Sequence, residues 1–131
     1  MSSQHHLPVE ITLHSKRRVL EVAFDDGARF ELPCEYLRVY SPSAEVQGHH
    51  NEGAVLQLGK EEVNITDLRQ VGQYALKLFF DDRHKSGLYT WNYLYDLGQN
   101  YQRHWADYLR RLDEAGHRRS SPTGVQGQEH V

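Results

Sequence analysis

Three short runs of alternating residues leave little choice about how this chain begins to fold. Val9, Ile11 and Leu13 alternate with Glu10, Thr12 and His14; Leu20, Val22 and Phe24 repeat the pattern, and so do Ala28, Phe30 and Leu32. A period of two puts the apolar residues on one face of a strand. Asp25-Asp26-Gly27 lies between the second and third runs. Asp-Gly between alternating hydrophobics is a strong hairpin signal, because both residues tolerate positive φ. The chain up to Leu32 is therefore expected to be an antiparallel meander.

Pro33 suits the first turn of a short helix, where its missing N–H leaves nothing unpaired. Tyr36, Leu37 and Tyr40 share one side of that helix, and Ser41-Pro42-Ser43 ends it. Residues 45–53 are polar and hold His49 and His50, the pattern of an exposed loop. Ala54–Leu58 reads as a short strand with a Gly59-Lys60 turn. Val63–Val71 reads as a strand with an irregularity near Asp67. Tyr74, Leu76, Leu78 and Phe80 alternate with residues that are also mostly apolar, so this strand is expected at the centre of a sheet. Then Trp91, Leu94, Gly98, Tyr101, Trp105, Tyr108 and Leu112 step by three and four residues, a sustained helical face. Gly98 on that stripe costs about 1 kcal/mol relative to alanine. Either the helix breaks there or its backbone approaches the sheet closely. The expected class is α+β: a small, mainly antiparallel sheet, a short helix after the meander, and a long C-terminal helix packed on one face. Residues 1–8 are expected as a flexible start, 9–116 as one domain, and 117–131, poor in apolar residues, as a disordered tail.

The net charge of −3 over 131 residues lacks the basic excess of a nucleic-acid binder. No run of 18 apolar residues exists to span a membrane. Met1–Pro8 has neither the basic start nor the apolar core of a secretory signal, so a cytoplasmic location is expected. Cys34 is the single cysteine, which excludes an internal disulfide and a cysteine-rich metal site.

The densest chemistry lies in Asp81-Asp82-Arg83-His84-Lys85-Ser86-Gly87, where an apolar strand ends in carboxylates, an imidazole and a Ser-Gly turn before an aromatic helix begins. His84 can be a metal ligand with Asp81, Asp82, His49 or His50, since carboxylate–imidazole sets suit iron or zinc. It can equally be a turn residue bonded to a neighbouring carboxylate. Arg38 can meet a carboxylate ligand or pair internally with Glu35 or Glu45. Tyr89, Trp91 and Tyr93 can line a groove for a cation, while their periodicity places Trp91 in the core first. Cys34 at a helix start is either an activated thiol or a small packed residue. His50-Asn51-Glu52 with His84 or His104 has the composition of an iron-oxygenase triad, and Gly59-Lys60 lacks the glycine loop of a phosphate cradle. The candidate binding surface is Arg38, Asp81, Asp82, His84, Tyr89 and Trp91, with His84 the candidate metal residue and no catalytic set.

Three segments, Leu32–Val46, Asn64-Ile65 and His84–Leu94, together resemble the gamma-butyrobetaine hydroxylase-like N-terminal domain over about residues 9–115. In carnitine-pathway hydroxylases that domain precedes an iron and 2-oxoglutarate jelly-roll. It also occurs as a small free-standing bacterial protein and fused to P-loop ATPases that carry iron–sulfur clusters. The resemblance implies a structural zinc held by Cys-Pro-Cys-x-x-Cys and a later histidine. On this chain those positions are Ser41, Ser43, Val46 and His84, with Pro42 as the motif proline. Three of the four ligands are replaced, and hydroxyls and a valine do not take the place of thiolates, so no cofactor is expected from that site. The functional expectation is a non-catalytic binding module with a protein partner, a P-loop iron–sulfur carrier ATPase by implication of the fusions. The alternatives are an iron- or zinc-binding accessory protein using His84 and, more remotely, an enzyme. Oligomeric state is not encoded legibly.

Overall fold

The computed structural model describes residues 6–42 and 56–119, with Lys85 and Ser86 described by backbone alone. The meander forms as expected, from β1 (Pro8–His14), β2 (Val19–Phe24) and β3 (Arg29–Pro33) in the order β1-β2-β3. The β2–β3 loop is longer than a two-residue turn. Only Gly27 takes a positive φ, of 93°, while the Asp26 carboxylate accepts the Ala28 N–H at 2.9 Å. Gly27 and Asp26 thus divide the labour that a tight Asp-Gly turn would have shared.

A single sheet was the expectation, but there are two. The second comprises β4 (Ile65–Val71), β5 (Ala75–Phe80) and β6 (Lys85–Thr90), all antiparallel, with β5 central as its two apolar faces required. The register of β4 against β5 slips between Ile65 and Asp67, the irregularity expected near Asp67. Strand β6 corrects the reading of Ser86-Gly87 as a turn leading straight into helix. Leu76 pairs with Tyr89 and Lys77 with Leu88, and ladder bonding to β5 overrides the local turn signal. Leu56–Leu58 are not strand; Ala54 and Val55 lie outside the described residues.

The expected long helix is two, α2 (Trp91–Gln99) and α3 (Tyr101–Glu114). Thr90 caps α2 by accepting the Tyr93 N–H at 3.1 Å. Asn100 interrupts the stripe, its side chain donating back to the Asp96 carbonyl and carboxylate at 3.1 and 2.8 Å. Both outcomes posed for Gly98 occur together. The backbone presses on β3, where a Cβ would sit 2.3 Å from Phe30 Cγ, and the helix breaks two residues later.

Between the sheets and these helices lies α1 (Cys34–Val39), with all six residues buried. Leu20, Val22, Phe24 and Leu32 from the first sheet share a core with Leu76, Leu78, Phe80 and Tyr89 from the second, Tyr36 and Leu37 of α1, and Trp91, Leu94 and Leu97 of α2. Val39, Tyr108 and Leu112 form a smaller cluster between α1 and α3. Beyond α3 the described chain continues to Arg119, which folds back to Glu35 of α1. Residues 120–131 lie outside the described residues.

Alanine is the better helix former by about 1 kcal/mol, yet Gly98→Ala should destabilise the domain by about 2–3 kcal/mol through collision with the Phe30 ring. Urea denaturation checks this, and Phe30→Leu in the same chain should recover part of the loss.

Candidate functional site

The expected site residues converge only in part. Arg38 projects from α1 with its side chain 7% exposed. Its Nε donates to Asp82 Oδ2 at 2.8 Å and its Nη1 to Gln57 Oε1 at 3.1 Å. Lys60 Nζ donates to the same Asp82 oxygen at 2.8 Å. The other oxygen, Oδ1, accepts the His84 backbone N–H at 3.1 Å. The partner of Arg38 is thus Asp82, and Glu35 instead takes Arg119. Glu35 and Arg38 stand three residues apart on one helix, yet each pairs with a charge distant in sequence rather than with the other.

The His84 ring Nε2 shares a 3.0 Å hydrogen bond with Ser41 Oγ in a buried position. Tyr89 is wholly buried and donates its hydroxyl to the Leu37 carbonyl at 2.7 Å. Burial raises its pKa far above the ordinary tyrosine range. Asp81 faces away from this junction: Oδ1 accepts the Asn64 N–H at 3.1 Å, and its own N–H donates to the Asn64 carbonyl at 2.9 Å. Trp91 is buried at the start of α2 and donates its indole N–H to the Gln73 carbonyl at 2.8 Å. Cys34 is packed, with burial pushing its thiol up to about 11, the reverse of activation.

Burial also pushes the Asp82 carboxyl up, but the hydrogen bonds from Lys60 and Arg38, with the Arg38 charge, outweigh it and hold the group at about 2. An arginine this buried needs such a partner, because an unpaired desolvated charge costs several kcal/mol. The junction therefore fastens α1 to the β5–β6 turn. Lys60, Gln57 and Asn64 escaped the sequence reading. Their only signal was the Asn64-Ile65 segment of the resemblance, since Lys60 and Gln57 sit in a stretch without periodicity.

Of the four positions where the resemblance implies zinc ligands, 41 and 84 do meet, as a hydroxyl and an imidazole; Ser43 and Val46 lie outside the described residues. One imidazole with a serine hydroxyl does not make the N/S donor set that zinc favours. Among the described residues no three His, Cys, Asp or Glu side chains are grouped to hold an ion. Asp82 is engaged by two cations, and Asp81 by Asn64. His49, His50 and the His50-Asn51-Glu52 triplet lie outside the described residues. His104 packs on Tyr40, ring centroids 5.1 Å apart. The residues present do not fit the implied zinc.

A second feature lies on the opposite side of Trp91. A cleft of about 380 Å³ runs between the start of β1 and the end of β4, lined by Leu7–Ile11, Gln70, Gln73 and Trp91. A smaller one continues it past Tyr74. Leu7, Val9 and Tyr74, exposed by 49, 67 and 56%, border this continuous depression. The register of β1 slips between Pro8 and Glu10, and that bulge turns Val9 outward. Among the described residues β1 pairs only with β2, and no helix is long and apolar enough to cross a membrane.

The family described as gamma-butyrobetaine hydroxylase-like, N-terminal, matches residues 11–95. Two solution NMR structures are similar along nearly the whole chain. One is 46% identical, covering 94% of this chain and 97% of its own, with a TM-score of 0.77. The other is 44% identical, covering 100% and 99%, with a TM-score of 0.78. A crystal structure from Acidithiobacillus ferrooxidans, of a protein with unknown function in the DUF971 family, is 37% identical over 70% of this chain and 91% of its own, with a TM-score of 0.59. No curated protein matches. The chain belongs to the gamma-butyrobetaine hydroxylase-like N-terminal family.

The junction has a pH signature. The folded Asp82 pKa lies below the ordinary 3.8, so its stabilisation is full above about pH 4 and disappears as the pH falls through about 2. Asp82→Asn should cost about 1–2 kcal/mol at neutral pH, allowing for the partial exposure of the carboxylate. It should also flatten the acid limb of the stability curve. Urea titrations at several pH values check both; parallel curves for the two proteins would remove Asp82 as the acid-sensitive group.

Proposed function

We propose that this member of the family is a non-catalytic module that binds a protein partner through the cleft beside Trp91. The observation that carries the reading is the clustering of Leu7, Val9 and Tyr74, three large exposed apolar side chains, along one depression at a sheet edge. Scattered exposed hydrophobics need no explanation, but a contiguous set at a rimmed cleft is characteristic of an interaction surface. The polar junction supports the same conclusion from the other direction. Arg38 pairs with Asp82 and Gln57, Asp82 also with Lys60 and the His84 N–H, the His84 ring with Ser41 and Tyr89 with the Leu37 carbonyl, contacts that tie α1 to the second sheet.

The edge of β1 away from β2, which no other strand among the described residues pairs with, fits an extended segment of the partner. Main-chain bonds along the strand would supply affinity, and apolar side chains would enter beside Val9 and Tyr74 for specificity. Resemblance to domains fused to P-loop iron–sulfur carrier ATPases supports such an ATPase as the partner.

The test is calorimetric titration of the intact chain with a purified P-loop iron–sulfur carrier ATPase from the same cell. Binding should weaken at least about tenfold in Val9→Lys with Tyr74→Lys, while the melting temperature stays close to the parent because both sites are exposed. Failure of the parent to bind removes the ATPase, and equal binding by parent and variant removes the cleft.

A further inference from the structure

A separate site is built around Glu35. This carboxylate stands in the first turn of α1 with its side chain 8% exposed, deep enough that it requires a cation. The cation comes from beyond the last helix. Past Gly116, at φ 75°, the chain turns back, and Arg119 Nε donates to Glu35 Oε2 at 2.9 Å while its Nη2 bonds to Oε1. Both carboxylate oxygens are engaged by one planar fork. The same guanidinium lies over the Trp105 ring, 5.4 Å from the centroid.

A buried carboxylate with both oxygens presented side by side, walled by an indole face, is the chemistry that selects a guanidinium over an ammonium. A lysine would offer a point charge and no plane to stack. The described part of the returning segment is residues 117–119. His117 donates its N–H to the Leu112 carbonyl at 3.0 Å, but its ring lies 4.0 Å from Glu61, beyond hydrogen-bond reach. Under the segment lies an open cleft of about 370 Å³, bordered by Leu109, Leu112 and Asp113.

We propose that Glu35 and Trp105 form a guanidinium-binding pocket for an arginine presented by another protein, and that Arg119 is the chain's own ligand, competing for it. The competition is intramolecular, so the short covalent link from α3 gives Arg119 an effective concentration of about the millimolar range. An incoming arginine wins only when additional contacts around it, over the cleft at the end of α3, outweigh that advantage. The returning segment acts as an autoinhibitory latch. This site is remote in sequence from the residues of the cleft beside Trp91 and does not depend on them.

The experiment uses the full chain with Arg119→Ala and two probes, N-acetyl-arginine methylamide and N-acetyl-lysine methylamide, followed by NMR at the Trp105 indole. The arginine probe should bind the variant at least about tenfold more tightly than it binds the parent, and at least about tenfold more tightly than the lysine probe does. Glu35→Gln added to Arg119→Ala should abolish the difference. Equal binding to parent and variant, indifference between the two probes, or shifts that spare Trp105 would overturn the proposal. If Arg119→Ala alone unfolds, recovery of folded signals by the arginine probe and not the lysine probe supports it, and no recovery counts against it. The ATPase titration is independent of this readout, so either result can fail alone.

Discussion

The burial of two opposite charges on one six-residue helix governs how the rest of the chain is arranged. A helix this short has no stability of its own, and α1 exists because it is packed on every side. Burying it also buries Glu35 and Arg38, and each desolvated charge demands a counter-charge from elsewhere. Asp82 answers from the β5–β6 turn and Arg119 from beyond α3. The two pairs run in different directions, so α1 is fixed simultaneously to the second sheet and to the C-terminal segment. Pairs of this kind contribute modest net stability, because desolvation offsets most of the attraction. Their effect is on specificity: an alternative packing that separates either pair strands a charge.

Backbone polarity imposes the same discipline. The last carbonyls of any helix lack partners within it, and the end of α1 is buried. The Tyr36 carbonyl takes the Tyr40 N–H, the Arg38 carbonyl the Ser41 N–H, and the Leu37 carbonyl the Tyr89 hydroxyl. Tyr93 donates to the Tyr40 carbonyl at 2.6 Å, Tyr36 to the Leu97 carbonyl near the end of α2 at 2.7 Å, and Tyr108 to the Gln57 carbonyl at 2.6 Å. Tyrosine suits this work because its ring fills core volume while its hydroxyl reaches a carbonyl. The tyrosines thus have a structural role: their hydroxyls satisfy carbonyls at α1, near the end of α2 and at Gln57.

The legible parts of the sequence were those where one periodicity acts alone. The meander, the central β5 and the α2–α3 stripe follow from alternation or helical spacing. Lys85–Thr90 misled because Ser86-Gly87 is a local turn signal, whereas its strand depends on pairing with β5, a tertiary fact. The helix break was half visible: Gly98 marked a close approach, but Asn100, which ends α2, carries no apolar signal. At the polar junction Arg38, Asp82 and His84 could be nominated by residue type. Which charge meets which could not, because Glu35 and Asp82 are both chemically suitable for Arg38 and only tertiary packing decides. Arg119 was illegible for a related reason: its segment has the composition of a solvated tail, and one buried carboxylate far away in sequence orders it.

Ser41 and His84 stand at two of the positions where the resemblance implies zinc ligands, and a hydrogen bond joins them. A tetrahedral zinc fastens its ligands with a binding energy of roughly 10–16 kcal/mol in small peptides. A neutral hydrogen bond contributes about 1 kcal/mol. The Ser41–His84 bond keeps the geometry of the junction but supplies a small fraction of that energy, so the remainder must come from contacts around it. Arg38 with Asp82, Tyr89 with Leu37 and Tyr93 with Tyr40 all link the region of α1 to β6, α2 or the turn before them, within a few residues of position 41 or 84. A metal crosslink acts at one point, whereas these bonds are spread along the helix and depend on its burial. The junction these bonds make is therefore as strong as the core beneath it, and a change that opens that core loosens α1 and the polar cluster together.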